Sequence, residues 1–183
     1  QPKHGRDRLS PDDEAAMQTY CEAYKAFLDR SKTERECVVS AVELAEKAGF
    51  RELTAGMALK AGDKVYSVNR GKSILLAVIG KKPLSEGANI GAAHTDAPRL
   101  DFKPNPLYED AELAYIKTHH YGGIRKYQWV TVPLELHGKI VRADGSEIYV
   151  KIGADPEDPQ FVINDLLPHL GREQGKKPLN EAI

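Results

Sequence analysis

The hydrophobic pattern of the first 50 residues predicts two amphipathic helices. Ser10 and Pro11 supply an N-cap and a first-turn proline for the first helix. Its apolar side chains then recur every three or four positions, at Met17, Tyr20, Cys21, Tyr24, Phe27 and Leu28. Thr33 and Glu36 form a capping box for a second helix, which Gly49 is expected to end. Each helix is expected to turn one apolar stripe toward a core.

The segment after the helices predicts a β-hairpin. Lys64 to Asn69 and Ser73 to Gly80 flank the turn signal Arg70-Gly71-Lys72. Ile74 to Ile79 is continuously apolar, a pattern typical of a strand that is covered on both faces. A central sheet is therefore expected.

A second apolar segment, Ala88 to Ala93, predicts a further strand that ends at His94-Thr95-Asp96. Residues two positions apart on a strand point to the same side, so His94 and Asp96 are expected to project together. In open α/β sheets, binding sites form at such strand ends.

The residue composition of the sequence changes after the first 98 residues. Pro104 and Pro106 exclude a helix, and strand-forming residues dominate beyond Glu112. This change predicts a domain boundary, with one domain in residues 1–98 and a second, β-rich domain in residues 99–183. The second domain is expected to contain β segments in residues 127–137, 140–142 and 148–152, with a hairpin turn at Asp144-Gly145.

Composition and charge narrow the range of partners. The 26 Lys and Arg residues balance 27 Asp and Glu residues, so the net charge is -1, which argues against nucleic acid or an anionic membrane as the main ligand. No apolar run approaches the roughly 20 residues that cross a bilayer. The two cysteines, Cys21 and Cys37, lie in helical segments as small core residues. A soluble, cytoplasmic protein is expected.

The histidines are the main candidates for chemistry. An imidazole can bind a metal, and a nearby carboxylate such as Asp96 can fix the tautomer of a ligand such as His94. The H-x-D pattern fixes only two residues, however, and taken alone it is more typical of a hydrogen-bonded histidine at a strand end. His119 and His120 are adjacent and therefore diverge on a strand, so at most one is expected to face a given site. His169 suits a structural role and a site role equally.

The sequence lacks the motifs of several other enzyme classes. It contains no Cys-x-x-Cys pair, no G-x-x-x-x-G-K-[ST] phosphate loop and no G-x-S-x-G nucleophile elbow. A structural zinc of the cysteine type, a nucleotide site of the P-loop type and a serine nucleophile of that type are therefore excluded.

Three separated segments resemble, in order, motifs of the M18 family of metalloaminopeptidases, and most closely its bacterial members. They are Gly91 to Leu100, Tyr121 to Ile124 and Leu166 to Leu170. The resemblance extends over nearly the whole chain, from the helix around Tyr20 through Arg35-Glu36-Cys37, Asn69-Arg70-Gly71-Lys72 and Asn105-Pro106-Leu107-Tyr108. Three ordered motifs outweigh the preference that H-x-D alone gives to a structural histidine.

The resemblance implies an α/β fold in which an α/β/α zinc-peptidase domain, present here as its N-terminal part, is interrupted by a β-rich dimerisation or lid domain. It implies an aminopeptidase that removes acidic or neutral N-terminal residues from peptides by metal-activated water. Two Zn2+ ions per complete site are implied, although Co2+ or Mn2+ also suits the ligand types. A homo-oligomer, in which dimers assemble into a larger particle, is implied as well.

By the same resemblance, His94 is a zinc ligand and Asp96 is the catalytic carboxylate that orients the ligand set. His169 matches a family histidine with two interpretations: a catalytic group that steadies the oxyanion in a neighbouring subunit's site, or a metal ligand. The first is favoured, because a histidine on the lid domain is well placed to cross a dimer interface. The remaining ligands and the catalytic glutamate of the family follow the segment where this chain stops, so the chain is expected to be an incomplete, inactive N-terminal portion.

Two other functions stay open at this stage. A non-catalytic, β-rich assembly module would also show an incomplete ligand set. Another metal-dependent hydrolase with an H-x-D pattern, such as a deacylase, would share His94 and Asp96.

Overall fold

The structure is a computed structural model that describes residues 4–182. It divides into two compact units between Asp96 and Ala97. The domain boundary expected from the sequence, after residue 98, lies two residues from this division. Within the described residues the first unit contains two α-helices and a three-stranded sheet, and the second contains two separate two-stranded sheets.

Both predicted helices are confirmed. Helix α1 spans Pro11–Arg30, and the Ser10 hydroxyl accepts a hydrogen bond from the backbone N–H of Asp13. Helix α2 spans Glu34–Lys47, and Thr33 is its N-cap in the predicted capping box. Gly49, with φ of 83°, follows the end of α2 in the left-handed conformation that glycine favours. Within residues 4–182, neither these helices nor the short 3-10 turns combine the length and apolarity that a membrane crossing requires.

The apolar stripe of α1 does not face a core, contrary to the expectation. Of its six stripe residues only Phe27 is half-buried, and the exposed ones are Met17, Tyr20, Cys21, Tyr24 and Leu28. Helix α2 packs on the sheet, whereas α1 packs against α2. The stripe of α1 therefore has no sheet beneath it among the described residues, and the expectation that Cys21 is a core residue is wrong.

The sheet of the first unit contains the predicted hairpin. Strand β2, Lys64–Asn69, pairs with strand β3, Ser73–Val78, in antiparallel register, and β1, Arg51–Glu52, lies parallel on the other side of β2. Arg70 and Gly71 have φ of 53° and 63°, as in a type I′ hairpin turn. The hairpin is therefore confirmed.

The core of the first unit is small and lies between α2 and β2. Val38 and Ala45 of α2 and Val65 and Tyr66 of β2 are its buried hydrophobic residues. The expectation that β3 is covered on both faces is wrong, because β3 is an edge strand and most of its large apolar side chains are exposed; the exposed ones are Leu75, Leu76 and Val78.

Residues Ala88 to Ala93 do not form the predicted strand. The backbone from 87 to 98 carries no helix or strand assignment, and Ile90 is 86% exposed. A strand requires a neighbouring strand for its N–H and C=O groups, and no described strand pairs with this segment. His94 therefore lies on a segment without regular secondary structure and not at the end of a strand.

The second unit begins with a long antiparallel hairpin. Strand β4, Arg99–Asp110, pairs with β5, Leu113–Tyr121. The register shifts between Phe102 and Leu107, at the two prolines that cannot donate to the ladder. The sequence excluded a helix here but did not predict that β4 continues through the prolines.

The remaining strands confirm one prediction and correct another. Strands β6, Leu136–Val141, and β7, Glu147–Ile152, form the hairpin expected around Asp144-Gly145. Most of the segment 127–137 is not a strand, because it contains a 3-10 turn at Lys126–Gln128 and only isolated bridges at Val130 and Leu134.

Candidate metal centre

His94 and Asp96 are in direct contact. The Nδ1 atom of His94 lies 2.9 Å from the backbone oxygen of Asp96 and 3.1 Å from its Oδ1 atom. Both oxygens are acceptors, because one is a carbonyl and the other belongs to a carboxylate, so Nδ1 must carry the proton and donate it. In the neutral imidazole the unprotonated nitrogen is then Nε2, whose lone pair can bind a metal.

The side chain of His94 is accessible while that of Asp96 is partly sheltered. The exposed fractions are 81% for His94 and 33% for Asp96. The pair therefore presents an imidazole of fixed tautomer, backed by a carboxylate. The structure brings these two predicted site residues together, although the strand that was expected to align them is absent from the described residues.

The segment that carries the pair rests on the β2–β3 turn. The Thr95 hydroxyl donates to the backbone oxygen of Lys72 at 3.5 Å. The Arg35 guanidinium donates to the backbone oxygen of Arg70, in the same turn, at 3.2 Å. Three segments that the sequence singled out separately therefore converge in the first unit: the start of α2, the hairpin turn and the H-x-D segment.

Two further motifs meet at the start of the second unit. Arg99 pairs with Tyr121 across the β4–β5 ladder, and its guanidinium lies 4.1 Å from the centre of the Tyr121 ring. Arg99 also donates through Nε to Asp101 Oδ1 at 2.8 Å. Gly122 follows with φ of 76°, and a Cβ atom there would lie 3.6 Å from Cα of Pro98. The Tyr-Gly-Gly motif thus packs against the residues that follow Asp96.

Gly122→Ala is expected to destabilise the second unit by about 1–2 kcal/mol, because an L-residue is strained in the left-handed region. A denaturant titration would measure this loss as a lower free energy of unfolding. Gly123→Ala is the matched control, since Gly123 has no positive φ and a methyl group added there would meet no atom within 4 Å. Equal stability of the two variants would contradict the role assigned to Gly122.

His169 lies in the second unit, on an exposed turn outside the strands. The turn is closed by Asp165, whose Oδ1 atom accepts hydrogen bonds from the Gln174 amide at 2.9 Å and from the Leu166 N–H at 2.8 Å. The Gln174 hydrogen bond, with that of Leu166, holds the pKa of the Asp165 carboxyl below its ordinary value. This contribution to stability is therefore present at neutral pH and is lost as the pH falls through that lowered pKa.

The turn frames a shallow cavity that includes His169. Its volume is about 380 Å³, and Arg172 and Lys177 line it together with His169. The imidazole of His169 is therefore available to a group that enters from outside the second unit.

The residues of this chain fit part of a zinc site. A structural or catalytic zinc takes about four donors, and a catalytic site supplies three of them from the protein. Within residues 4–182, no group of three or more His, Cys, Asp or Glu side chains could hold a metal ion. His94 with its orienting Asp96 fits one ligand position of such a site.

The adjacent histidines correct one sequence-based expectation. The rings of His119 and His120 are parallel within 3°, with centroids 5.4 Å apart, and both line the same cavity. Because neighbouring residues of a strand point to opposite faces, only one of the two rings was expected in a given site. A two-stranded ribbon twists strongly, however, and an imidazole extends well beyond its own backbone, so both rings reach the same side of the ribbon. The adjacent histidines were the sequence signal for this cavity. The alternation of side chains along a strand, used alone, wrongly excluded one of them.

The family model described as aminopeptidase I zinc metalloprotease (M18) matches residues 27–183. A probable M18 family aminopeptidase 1 of Clostridium acetobutylicum is 51% identical over 164 residues, which cover 87% of this chain and 35% of that protein.

Solved structures agree with the family match. A crystal structure of an M18 aminopeptidase from Thermotoga maritima has a TM-score of 0.88 and 40% identity, and covers 99% of this chain and 39% of that one. Aminopeptidase I from Borrelia burgdorferi B31 has a TM-score of 0.85 and 40% identity, over 90% and 41% of the two chains.

The chain thus spans between 35% and 41% of the length of these relatives. The mixed α/β fold described above is the fold that those structures share with it. With a family model that covers most of the sequence and with relatives at 40% identity or more, the chain belongs to the M18 family of zinc aminopeptidases.

Proposed function

We propose that the protein containing this chain is a zinc-dependent aminopeptidase that removes N-terminal residues from peptides. The observation that carries the proposal is the contact between His94 Nδ1 and Asp96, which leaves the Nε2 lone pair exposed for a metal. Membership of a zinc metalloprotease family supports the choice of metal.

In this proposal each residue has a separate task. His94 binds the ion through Nε2, and Asp96 holds the imidazole in the tautomer that leaves this nitrogen unprotonated. The chemistry supplied by zinc in such enzymes is polarisation of the scissile carbonyl and activation of a water molecule at neutral pH. Two Zn2+ ions complete the site with donors from outside residues 4–182, and Co2+ or Mn2+ is compatible with the same ligand types.

His169 is proposed as a catalytic group that steadies the oxyanion in a neighbouring subunit's site, with the role of metal ligand as the alternative. Its exposed position supports the first role, because the turn that carries it is closed by the hydrogen bond from Gln174 to Asp165 and the imidazole is open to a partner. The proposal requires a homo-oligomer, in which dimers assemble into a larger particle.

The exposed apolar faces support an α/β/α peptidase domain that the chain supplies only in part. Edge strand β3 has exposed side chains on both faces, the stripe of α1 is uncovered, and Ile90 lies in the open. In the relatives, which are more than twice as long, further chain is available to cover the corresponding faces. We therefore assign residues 1–98 to the peptidase domain and residues 99–183 to a β-rich dimerisation or lid domain. The cytoplasm is the proposed location.

The test is hydrolysis of a panel of free-amine peptides by the intact protein, with acidic and neutral first residues and with N-acetylated counterparts. We expect release of the first residue from free-amine peptides, loss of activity with a chelator and recovery with Zn2+. The 183-residue chain assayed alone is expected to be inactive, because its described residues do not complete a metal site. Cleavage of the acetyl group alone would identify a deacylase, and a metal-free, inactive intact protein would identify an assembly module.

A further inference from the structure

Arg35 occupies an unfavourable place in helix α2, and its guanidinium contacts a different element. It is the second residue of α2, and a positive charge in the first turn of a helix opposes the helix dipole. The side chain is half-buried, and Nη1 donates to the backbone oxygen of Arg70 at 3.2 Å. The helix alone therefore does not account for an arginine at this position, whereas the contact with the β2–β3 turn does.

The β2–β3 turn has the shape to receive this guanidinium. Arg70 and Gly71 both have positive φ, and the N–H of Lys72 donates to the backbone oxygen of Asn69 at 3.0 Å. A Cβ atom on Gly71 would lie 3.3 Å from Nη1 of Arg35, which is tighter than an ordinary van der Waals contact. Glycine therefore adopts the left-handed conformation of the turn and also leaves room for the guanidinium.

The next carbonyl of the turn contacts the segment that carries the candidate metal ligand. The backbone oxygen of Lys72 accepts a hydrogen bond from the Thr95 hydroxyl at 3.5 Å. Thr95 is half-buried, while the side chain of His94 is 81% exposed. The residue that follows His94 therefore lies against the turn, and the imidazole is left open to a metal.

The contact with the turn matters because no regular secondary structure holds this segment. Residues 87–98 carry no helix or strand assignment, and no described strand pairs with them. A ligand side chain has to be held close to its productive position by the residues that support it. The hydrogen bond from His94 to Asp96 joins two residues of the same segment, so it determines the orientation of the ring and not the place of the segment.

We propose that Arg35 is a positioning residue for the metal ligand His94. Arg35 holds the β2–β3 turn, the Lys72 carbonyl of that turn holds Thr95, and Thr95 fixes the backbone from which the imidazole projects. The inference rests on the proposed function, since it concerns the affinity of His94 for the ion which that function requires.

The experiment measures the zinc affinity of the intact, metal-free protein by competition with a chromophoric chelator. Arg35→Met and Thr95→Val are each expected to weaken Zn2+ binding by about 2–10-fold, because each removes one hydrogen bond between the helix, the turn and the segment. Thr95→Ser keeps the hydroxyl and is expected to bind zinc as the wild type does. Arg142→Met, the same substitution at the exposed residue that follows β6, is the matched control.

The double variant Arg35→Met with Thr95→Val tests whether the two residues act through the same turn. If they do, it weakens zinc binding no more than the stronger single variant does, whereas the fold-changes of independent effects multiply. A general loss of stability would not produce this coupling. Arg35→Met is expected to fold, because it removes a charge that opposes the helix dipole, and a denaturant titration of each metal-free variant checks this. Arg35→Gln takes its place in the cycle if it does not fold.

The outcomes separate this inference from the proposed function. Wild-type zinc affinity in the folded Arg35 or Thr95→Val variant, or a double variant whose loss is the product of the single losses, would overturn the inference and leave the proposed function intact. A wild-type protein that binds no zinc would overturn the proposed function and the inference with it.

Discussion

His94→Ala in the intact protein is expected to lower kcat/KM for peptide hydrolysis by at least about 10³-fold, because a metal-bound site stabilises the transition state by several kcal/mol. The variant also loses the ligand whose Nε2 atom the structure presents to a metal, so its zinc content is expected to fall. Plasma emission spectrometry of the purified protein would measure the loss of metal directly.

Asp96→Asn separates the ligand from the residue that orients it. An asparagine keeps the size of the side chain but removes the charge that favours a donated Nδ1–H, so metal affinity is expected to fall by about 10–100-fold. The matched control for His94→Ala is His4→Ala, which removes an exposed histidine that has no role in the proposed site. Unchanged zinc content and activity in His94→Ala would defeat the assignment of the metal ligand.

Local signals in the sequence were sufficient to predict several elements of the fold. The capping residues Ser10 and Thr33 act within one turn of the helices that they begin, so both helices were predicted correctly. The hairpin at Arg70-Gly71 was equally local, because the two turn residues determine the conformation that joins its strands.

Burial and strand pairing were harder to predict because they depend on distant residues. The segment 88–93 has the composition of a strand, but no described strand offers the pairing that a strand needs. The exposed stripe of α1 and the exposed side chains of β3 have the same cause, since an apolar face is buried only where another element covers it. Strand β4 was missed because proline usually argues against a strand, whereas here the register shift accommodates both prolines.

In the candidate site, too, local features were predictable from the sequence and contacts between distant residues were not. The two-residue spacing of H-x-D predicted that the side chains of His94 and Asp96 project to the same side, and the structure brings them into contact without the strand. The packing of Gly122 on Pro98 links residues 24 positions apart, and no local pattern predicts such a contact. The role of His169 rests on the family resemblance and stays a prediction.

His169→Ala distinguishes the two roles proposed for that residue. If the imidazole steadies an oxyanion, kcat is expected to fall by about 10²–10³-fold while zinc content and the unfolding transition stay unchanged. If it is a metal ligand, zinc is lost together with activity, as for His94→Ala. We expect the first result, because the turn closed by Asp165 and Gln174 keeps His169 exposed.

Mixed oligomers test whether His169 acts on its own subunit or on a neighbour. Subunits with His94→Ala and subunits with His169→Ala, co-expressed with different affinity tags, would be purified as hetero-oligomers. If His169 crosses an isologous interface, the His94→Ala subunit still donates its His169 to the intact metal site of its neighbour, so one of the two sites in each mixed dimer is complete. Activity well above that of either parent is therefore expected. If His169 acts within its own subunit, every site lacks one group, and the mixed oligomer stays as inactive as its parents.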